Sequence, residues 1–481
     1  MSDEERRPRV AVVGGGVAGL AAAWRLAQAA DAPAVTLLER EPRLGGKIET
    51  ERIDGFTIES GPDSFLAAKP RGVGLCQEIG LGERLLPIMP QPHRAYVLAQ
   101  GRLHELPEGF SGLVPTKLGP VARSGLLSPR GKARLALDYA LPPRRDDADE
   151  SLGAFVRRRL GAEAFDRLVE PLMAGIYAGD GDRLSVLATF PQLRAAERAH
   201  GSLLRGMTAR AAAPVGPPRP AFLTPADGLG ELVAALESRL RAAGADLRLG
   251  AAVRSLLPIA SEPGHRLRLA TGETADFDAV VLATPSYAAG DLLREIDPAL
   301  AAELRGIPHA SSAIVSLAYR LADIQRPLDA HGYIVPRSEG GPILACTWTS
   351  LKWPRRAPEG YVLLRVFLGR WGQEDALAGS DAALVDTARA EVTTRLRASG
   401  DPVLVRVRRW PHGMPQYILG HLDRIARIDA ALASHPRLAL AGNAYRGVGI
   451  PDCIASGEAA ADRALAPLLA GRPAALARAA D

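Results

Sequence analysis

The chain has 481 residues, 47% of them hydrophobic and 23% charged, which is enough for two or three globular domains. A net charge of +5, with no dense block of Lys and Arg among aromatic residues, argues against nucleic-acid binding but leaves open an anionic small substrate or a weak membrane-surface contact. The three distant cysteines predict neither a disulfide framework nor a metal site, and the charged start without a long apolar run predicts a cytoplasmic protein with no signal peptide or membrane span.

A strand, a glycine turn and a helix open the chain. The run Val10 to Val13 is short and β-branched, which is typical of a buried strand, and the Ala- and Leu-rich stretch Leu20 to Ala29 favours a helix. Between them lie Gly14, Gly16 and Gly19, spaced G-x-G-x-x-G. At a strand-to-helix turn these glycines permit the turn, let backbone approach a pyrophosphate, and let the helix pack on the strand. The sequence therefore predicts a dinucleotide bound at the helix N-terminus.

A second strand, Ala34 to Leu38, ends at Glu39, about 20 residues further on, where an acid binds the ribose of a dinucleotide. An acid here, and not an arginine, argues against a ribose 2′-phosphate. The string continues with Arg43, Gly45 and Gly46, and as a whole it resembles the FAD-binding signature of the amine-oxidase-like flavoproteins. The alternative, a glycine-rich turn beside a surface acid, requires three independent features to coincide.

A short strand around Phe56 and Ile58 is broken by the turn Gly61 to Ser64. In flavoproteins of this kind such a turn runs under the flavin ring. Lys69 and Arg71 follow, and we interpret them as cations that bind substrate carboxylates. The alternative is a solvated turn.

Residues 92–225 are rich in Gly, Pro, Leu and Arg, and we interpret them as a helical insertion punctuated at Pro214 to Pro220. A hairpin through Gln100 and Gly101 precedes the helices, whose periodicity covers 129–140, 151–160, 162–173 and 186–212. Within the insertion, small residues flank Ile176 and Tyr177 and allow a flat ligand to approach the backbone. The alternative is a helix C-terminus that ends at Gly179.

After residue 225 the chain returns to the domain that carries the first glycine turn, then forms a sheet domain, and returns once more. A helix at 228–243 and strands at 246–249, 252–257 and 279–283 predict a second part of the first domain. A sheet domain follows, with strands at 312–319, 331–335, 343–349, 360–369 and 402–409 and a helix near 380–397. Its Trp348 and Lys352 would suit a planar anionic ligand, although sheet packing also explains the tryptophan. A strand at 437–441, a glycine turn and a helix at 452–468 complete the first domain, and the tail from Gly471 is expected to fray.

Together these motifs resemble the flavin-dependent porphyrinogen oxidases of haem synthesis, over nearly the whole chain. The stretches that carry the resemblance are Gly14–Gly19, Glu39–Lys47, Gly61–Ser64, Gly175–Asp180, Ala188–Pro191, Met414–Tyr417 with Gly420–His421, and Gly447–Gly449. The resemblance implies an α/β, amine-oxidase-like fold with a Rossmann-type FAD-binding domain, a sheet substrate domain and a helical insertion. The implied boundaries are 1–91, 226–300 and 426–481 for the FAD-binding domain, 92–225 for the insertion and 301–425 for the substrate domain.

The family has two branches, which convert coproporphyrinogen III to coproporphyrin III or protoporphyrinogen IX to protoporphyrin IX. The stretches Ala345–Thr349, Lys352–Pro354, Ala357–Gly360 and Pro115–Lys117 are similar to the bacterial coproporphyrinogen branch. That substrate has four propionates where the other has two, so more cations should line its cleft. Ala68 and Pro70 depart from the basic residues often seen beside Lys69, which leaves the propionate contacts open.

Site residues carry over from the resemblance onto matching positions. Substrate contacts are expected at Lys69, Arg71, Ile176, Tyr177, Trp348 and Lys352. FAD contacts are expected at Gly14, Gly15, Gly16, Val17, Ala18, Gly19, Glu39, Arg40, Lys47, Gly61, Pro62, Asp63, Ser64, Val253, Trp410, Val448, Gly449 and Ile450. We assign no general base, and the Gly175 carbonyl is the candidate proton acceptor.

The implied reaction passes a hydride from the porphyrinogen to FAD and a pyrrole proton to an acceptor, three times. Molecular oxygen reoxidises the flavin and yields hydrogen peroxide. Transient contact with a ferrochelatase stays open. Two further alternatives are an FAD-less partner-binding protein of the same superfold, of the Rab escort type, and an amine oxidase. The intact glycine turns and Glu39 speak against the first, and the lack of a flavin-linking cysteine context and of an identifiable aromatic cage speaks against the second.

Overall fold

The computed structural model describes residues 7–91, 94–212, 220–260 and 263–470. The predicted frayed tail from Gly471 and most of the Pro214–Pro220 stretch lie outside the described residues. The strands are β1 Arg9–Val13, β2 Ala34–Leu38, β3 Thr50–Ile53, β4 Phe56–Glu59, β5 Phe65–Leu66, β6 Leu85–Pro87, β7 Tyr96–Ala99, β8 Arg102–Glu105, β9 Phe110–Ser111, β10 Val114–Pro115, β11 Phe222–Pro225, β12 Asp246–Arg248, β13 Val253–Pro258, β14 His265–Leu269, β15 Thr274–Phe277, β16 Ala279–Leu282, β17 His309–Arg320, β18 Gly332–Ile334, β19 Ile343–Trp348, β20 Tyr361–Leu368, β21 Leu404–Pro415 and β22 Leu438–Leu440. The α-helices are α1 Val17–Ala27, α2 Pro70–Glu78, α3 Leu118–Arg123, α4 Pro129–Ala136, α5 Leu152–Leu160, α6 Ala162–Ala164, α7 Glu170–Tyr177, α8 Val186–Thr189, α9 Pro191–His200, α10 Leu203–Ala212, α11 Gly230–Ala242, α12 Ser286–Leu293, α13 Pro298–Arg305, α14 Thr349–Lys352, α15 Asp381–Leu396, α16 His421–Ala433 and α17 Ile450–Ala470.

A parallel sheet of strand order β12–β2–β1–β16–β22 carries the first glycine turn. The side chains of β1 alternate between its two faces, as in any strand. Val10 and Val12 face a core shared with α1, α11 and α17, whereas Ala11 and Val13 face a core shared with α12, α13 and α16. A parallel sheet covered on both faces is the doubly wound arrangement, so the Rossmann-type prediction is confirmed.

The second face of this sheet also carries an antiparallel meander, β13–β14–β15, whose last two strands were not predicted. Helix α16 packs into the same core through Ile425, Ile428 and Leu432, spaced as one helical face. The predicted boundary between residues 425 and 426 is therefore wrong, because it cuts through a helix that belongs to the parallel-sheet unit.

The predicted helical insertion forms a unit of its own from α3 to α10, around a core that includes Phe155, Phe165 and Met173. The stretch predicted as one helix at 162–173 is instead α6, a π-helical turn at Phe165–Val169, and α7. Pro171 explains the interruption, because it has no N–H to donate to the preceding turn.

A mixed sheet of order β21–β17–β20–β19–β18–β7–β8 forms the second large layer. Its central strands and helix α15 confirm the predicted sheet domain, with Leu384, Ala388, Val392 and Leu396 of α15 buried on one helical face. The hairpin β7–β8 joins this sheet through a parallel pairing with β18, so the start of the helical insertion at residue 92 was placed too early. The backbone groups of β7 would otherwise lack partners on that edge. Within the described ranges, no helix is long and apolar enough to span a membrane.

Candidate functional site

The glycines of the first turn serve two different purposes. At Gly14, which has a φ of +108°, a Cβ would lie 2.7 Å from the Ala283 carbonyl oxygen, and at Gly19 it would lie 1.9 Å from the Gly14 carbonyl oxygen. At Gly16 a Cβ would meet no atom within 4 Å, and the φ of −69° is open to any residue. Gly14 and Gly19 are thus needed for backbone packing, whereas the space above Gly16 is free for a ligand, as a pyrophosphate requires.

Glu39 is fixed beside this turn at the carboxyl end of β2. Its buried carboxylate accepts hydrogen bonds from the Gly15 N–H (2.6 Å) and from the Glu41 N–H (2.9 Å). Gly45 crosses next to Gly16 and donates its N–H to the Gly15 carbonyl at 2.8 Å. The predicted ribose acid and the following glycines therefore adjoin the first turn, while the Arg40 side chain is exposed and pairs with Glu41.

Several buried polar groups around the turn have no partner among the described residues. These are the Thr284 Oγ1, the Ser286 Oγ and the His309 Nε2. The Lys47 ammonium has no ion pair there either, and burial lowers its pKa and that of His309, the latter to about 4. Buried polar groups are normally hydrogen-bonded, so an unpartnered set at a nucleotide turn fits a polar ligand such as FAD. Thr284, Ser286 and His309 were not among the predicted site residues, although the first two follow closely on the apolar strand β16, which was the available signal.

Val253, the predicted adenine contact, is linked to the first turn through Glu39. Its carbonyl accepts the Ala251 N–H at 2.8 Å, and Val253 begins β13 two residues later with a partly exposed side chain. This places Val253 close to the predicted ribose acid, and its contact with the adenine stays a prediction.

The turn Gly61 to Ser64 passes directly over the backbone of Lys47. A Cβ on Gly61 would lie 1.9 Å from the Lys47 carbonyl oxygen, which excludes any other residue at this crossing. The Trp410 indole donates its N–H to the Ser60 carbonyl at 2.7 Å, and the buried Arg365 guanidinium donates to the Gly61 carbonyl. The predicted cofactor-side residues Lys47, Gly61 and Trp410 are thus brought together.

Asp63 is held as a carboxylate in this turn. Burial alone would raise its pKa, but the Lys352 ammonium and the Arg365 guanidinium lower it well below its ordinary value. The Lys352 Nζ lies 3.0 Å from one carboxylate oxygen, and Ser64 donates its hydroxyl to the other at 2.8 Å. Lys352, predicted to bind substrate, is therefore engaged by the chain itself.

Lys69 and Arg71 are also paired, in both cases with an acid of α17. The Lys69 Nζ lies 2.6 Å from the Asp452 carboxylate, and Arg71 forms ion pairs with Glu458 and Glu78. Asp452 in turn accepts the Gly449 N–H at 3.2 Å. A substrate carboxylate would have to exchange with these acids, which is easiest at Lys69 because 45% of its side chain is exposed.

The last glycine turn links β22 to α17. Gly447 has a φ of +138°, and a Cβ there would lie 2.4 Å from the Asp452 carboxyl carbon. Val448 is partly buried against the core of the helical unit, and Ile450 is buried in the core of the parallel-sheet unit. The backbone of this turn, more than the Ile450 side chain, is therefore the part available to a cofactor.

Gly175 and Ile176 form an open wall at the end of α7. The Ile176 side chain is 44% exposed, and a Cβ on Gly175 would meet no atom within 4 Å. Gly175 lies in the last helical turn, where backbone carbonyls lose their intrahelical partners, which is compatible with the predicted proton acceptor. On the other side of the same helix, Ala174 packs on Leu344 and Ala345 of the mixed sheet.

Two predicted substrate contacts are contradicted by burial. Trp348 has no exposed surface and lies in the core of the mixed sheet, where its ring is 6.4 Å from that of Tyr96. Tyr177 is 5% exposed and contacts Phe190 and Tyr417 edge-on, because it lies about 100° around the helix from Ile176. Neither ring has a face free for a macrocycle.

The sequence profile described as "Flavin containing amine oxidoreductase" matches residues 17–465 of this chain. The chain belongs to this family. Its membership confirms the predictions of an oxidoreductase, of an amine-oxidase-like fold and of a flavin cofactor, FAD.

Two curated relatives and one solved structure are similar over nearly the full length. A coproporphyrinogen III oxidase of Bacillus subtilis (strain 168) is 39% identical, covering 97% of this chain and 99% of that protein. A chloroplastic protoporphyrinogen oxidase of Nicotiana tabacum is 31% identical, covering 92% of this chain and 83% of that protein. The crystal structure of a putative protoporphyrinogen oxidase from Exiguobacterium sp. 255-15 superposes with a TM-score of 0.84 at 36% identity, covering 95% of this flavoprotein and 98% of that chain.

Proposed function

We propose that this flavoprotein oxidises coproporphyrinogen III to coproporphyrin III, a six-electron reaction of haem synthesis. The observation that carries the proposal is the 39% identity to a coproporphyrinogen III oxidase across almost the whole of both chains. The predicted Gly175–Asp180 and Met414–Tyr417 stretches support it further, since both lie at the candidate site.

The described residues suggest how the chain would hold the reactants. The open space above Gly16 would take the FAD pyrophosphate, and Glu39 would accept a ribose hydroxyl through a lone pair that its two backbone partners leave free. When bound, FAD supplies the two-electron oxidant, and the protein supplies position and electrostatics. Gly175 and Ile176 would present an uncharged, exposed wall against which a flat macrocycle can lie.

The propionates would be recognised beside α17 and β5. Lys69 is the cation best placed for this, because it is the most exposed of the predicted three. If the Lys69 ammonium moves from Asp452 to a substrate propionate, it exchanges one carboxylate partner for another. Since Lys69, Arg71 and Lys352 are all paired within the chain, the number of cations alone does not distinguish four propionates from two.

The second candidate is protoporphyrinogen IX oxidation, favoured by the solved Exiguobacterium structure and the tobacco relative. To distinguish the two candidate functions, each porphyrinogen is supplied to the FAD-loaded enzyme and the porphyrin product is followed by fluorescence. We expect faster turnover of the tetracarboxylate at limiting concentration. Equal or faster turnover of protoporphyrinogen IX would refute the choice.

Oxygen is proposed as the electron acceptor, with hydrogen peroxide as its product. The same assay under argon should stop after one two-electron step per flavin, and peroxide should accumulate in air at three equivalents per porphyrin. Porphyrin formation that continues under argon would reject oxygen as the acceptor. A cytoplasmic location, a weak membrane-surface contact and a contact with ferrochelatase stay predictions from the sequence.

A further inference from the structure

The segment Gln416 to His421, which follows the long strand β21, contacts two opposite parts of the candidate site. Gln416 has no exposed surface, and its side-chain amide donates a hydrogen bond to the Tyr177 carbonyl at 2.8 Å. That carbonyl lies at the end of α7, next to the open wall formed by Gly175 and Ile176. Gln416 thus fixes where α7 ends.

Tyr417 reaches in the other direction, to the last glycine turn. Its buried hydroxyl donates to the Asn443 carbonyl at 2.6 Å and accepts the Gly447 N–H at 2.8 Å. One hydroxyl therefore closes the loop from residue 443 to residue 447, directly before the backbone at Val448 and Gly449. A hydroxyl that both donates and accepts leaves two partly buried backbone groups without this partner when it is removed.

His421 holds the Tyr417 ring in place. The two rings are stacked, with centroids 4.0 Å apart and an interplanar angle of 12°. The His421 Nε2 donates to the Tyr445 carbonyl at 2.9 Å, which adds a third hydrogen bond to the same glycine turn. Burial lowers the pKa of His421, which favours the neutral ring, and its Nε2 carries the proton because it faces a carbonyl oxygen.

We propose that Gln416 and Tyr417 are positioning residues that set the two walls of the active site. Tyr417 fixes the glycine turn on the flavin side, and Gln416 fixes the end of α7 on the substrate side. Neither side chain has surface free to touch a ligand, so each acts through the backbone that it holds. The part concerning Gln416 rests on the proposed function, whereas the part concerning Tyr417 needs only FAD binding.

Tyr417→Phe tests the flavin-side wall, with Tyr333→Phe as the matched control. Tyr333 is buried in the mixed sheet and its hydroxyl donates to the Glu391 carboxylate at 3.0 Å, so Tyr333→Phe also removes a tyrosine hydrogen bond but should leave the FAD release rate unchanged. We expect Tyr417→Phe to release FAD from the holoenzyme about 5- to 30-fold faster on dilution, read as the rise in free-flavin fluorescence. We also expect a shifted visible flavin spectrum, which a purely structural loss elsewhere would not produce.

Gln416→Met tests the substrate-side wall, because methionine keeps the volume and removes the donor. We expect an increase of several-fold in KM for the porphyrinogen, with the FAD release rate within about twofold of wild type. Should Tyr417→Phe release FAD at the wild-type rate, or should Tyr333→Phe match its effect, the flavin-side claim is overturned. A wild-type enzyme that binds FAD but oxidises no porphyrinogen would defeat the proposed function and leave the Tyr417 result interpretable.

Discussion

Lys352 and Asp63 form an ion pair across 289 residues of chain, with the ammonium nitrogen 3.0 and 3.1 Å from the two carboxylate oxygens. The Arg365 guanidinium approaches the same carboxylate at 3.5 Å. The pair anchors the turn Gly61 to Ser64 against the mixed sheet. A buried carboxylate tolerates its desolvation only while such cations stay beside it.

Replacing Lys352 should therefore affect stability more than replacing Lys69. We expect Lys352→Met to lower the free energy of unfolding by about 1–3 kcal/mol, because Asp63 keeps only Arg365 as a partner. Lys69→Met should change it by less than about 1 kcal/mol, because the Lys69 side chain is 45% exposed and partly solvated. Urea denaturation of both variants at saturating FAD measures the difference. Equal losses would show that the Lys352 pair is not the anchor.

The two glycine roles at the first turn predict opposite phenotypes. Gly16→Ala should fold as wild type but bind FAD at least about tenfold more weakly, since its Cβ enters the space above the turn. Gly19→Ala should instead destabilise the fold by about 3 kcal/mol or more, since its Cβ would overlap the Gly14 carbonyl. Thermal unfolding and flavin content of the purified variants separate the outcomes. A yellow Gly16→Ala protein with full flavin content would contradict the assignment.

Of two predicted substrate contacts, Trp348 is buried in the core of the mixed sheet, whereas Ile176 is exposed at the open wall. Trp348→Phe should lower the free energy of unfolding by about 1–3 kcal/mol through loss of core contacts and leave KM unchanged. Ile176→Ala should leave stability within about 0.5 kcal/mol and raise KM. Denaturation curves and steady-state kinetics on both variants provide the comparison. A raised KM in Trp348→Phe at unchanged stability would restore the tryptophan as a ligand contact.

Buried histidines predict a loss of stability in mild acid. Burial, with His435 and Arg437 nearby, lowers the pKa of His265 to about 4 from its ordinary value of 6.5. The unfolded chain binds this proton more readily, so the stabilisation is complete above pH 6.5 and is lost as the pH falls towards 4, by up to about 1.4 kcal/mol per pH unit. His265→Gln should flatten the decline, measured by urea denaturation between pH 7 and 4.5. His200→Gln, at an exposed position ending α9, serves as the control and should keep the wild-type slope.

The local pattern of the chain predicted most helices and strands and the glycine turn at Gly14 to Gly19. Strand periodicity located β1, β16 and the central strands of the mixed sheet, because buried strands read as continuous or alternating apolar runs. Glycine spacing located the turn at Gly14 to Gly19, where only backbone geometry is at issue. The hairpin β7–β8 was also predicted, but its membership of the mixed sheet depends on β18, more than 200 residues away.

The sequence by itself determined the dinucleotide turn, its acid at Glu39 and the family, since these depend on residues close together in the chain. Only the tertiary structure decided which polar side chains were already paired, as with Lys352 and Asp63, and which aromatic rings were buried, as with Trp348. It also joined Tyr417 to the turn at Asn443 and Gly447. The reason is physical: burial and pairing are set by segments that meet only after folding, and the periodicity of one strand or helix carries no information about its distant partner.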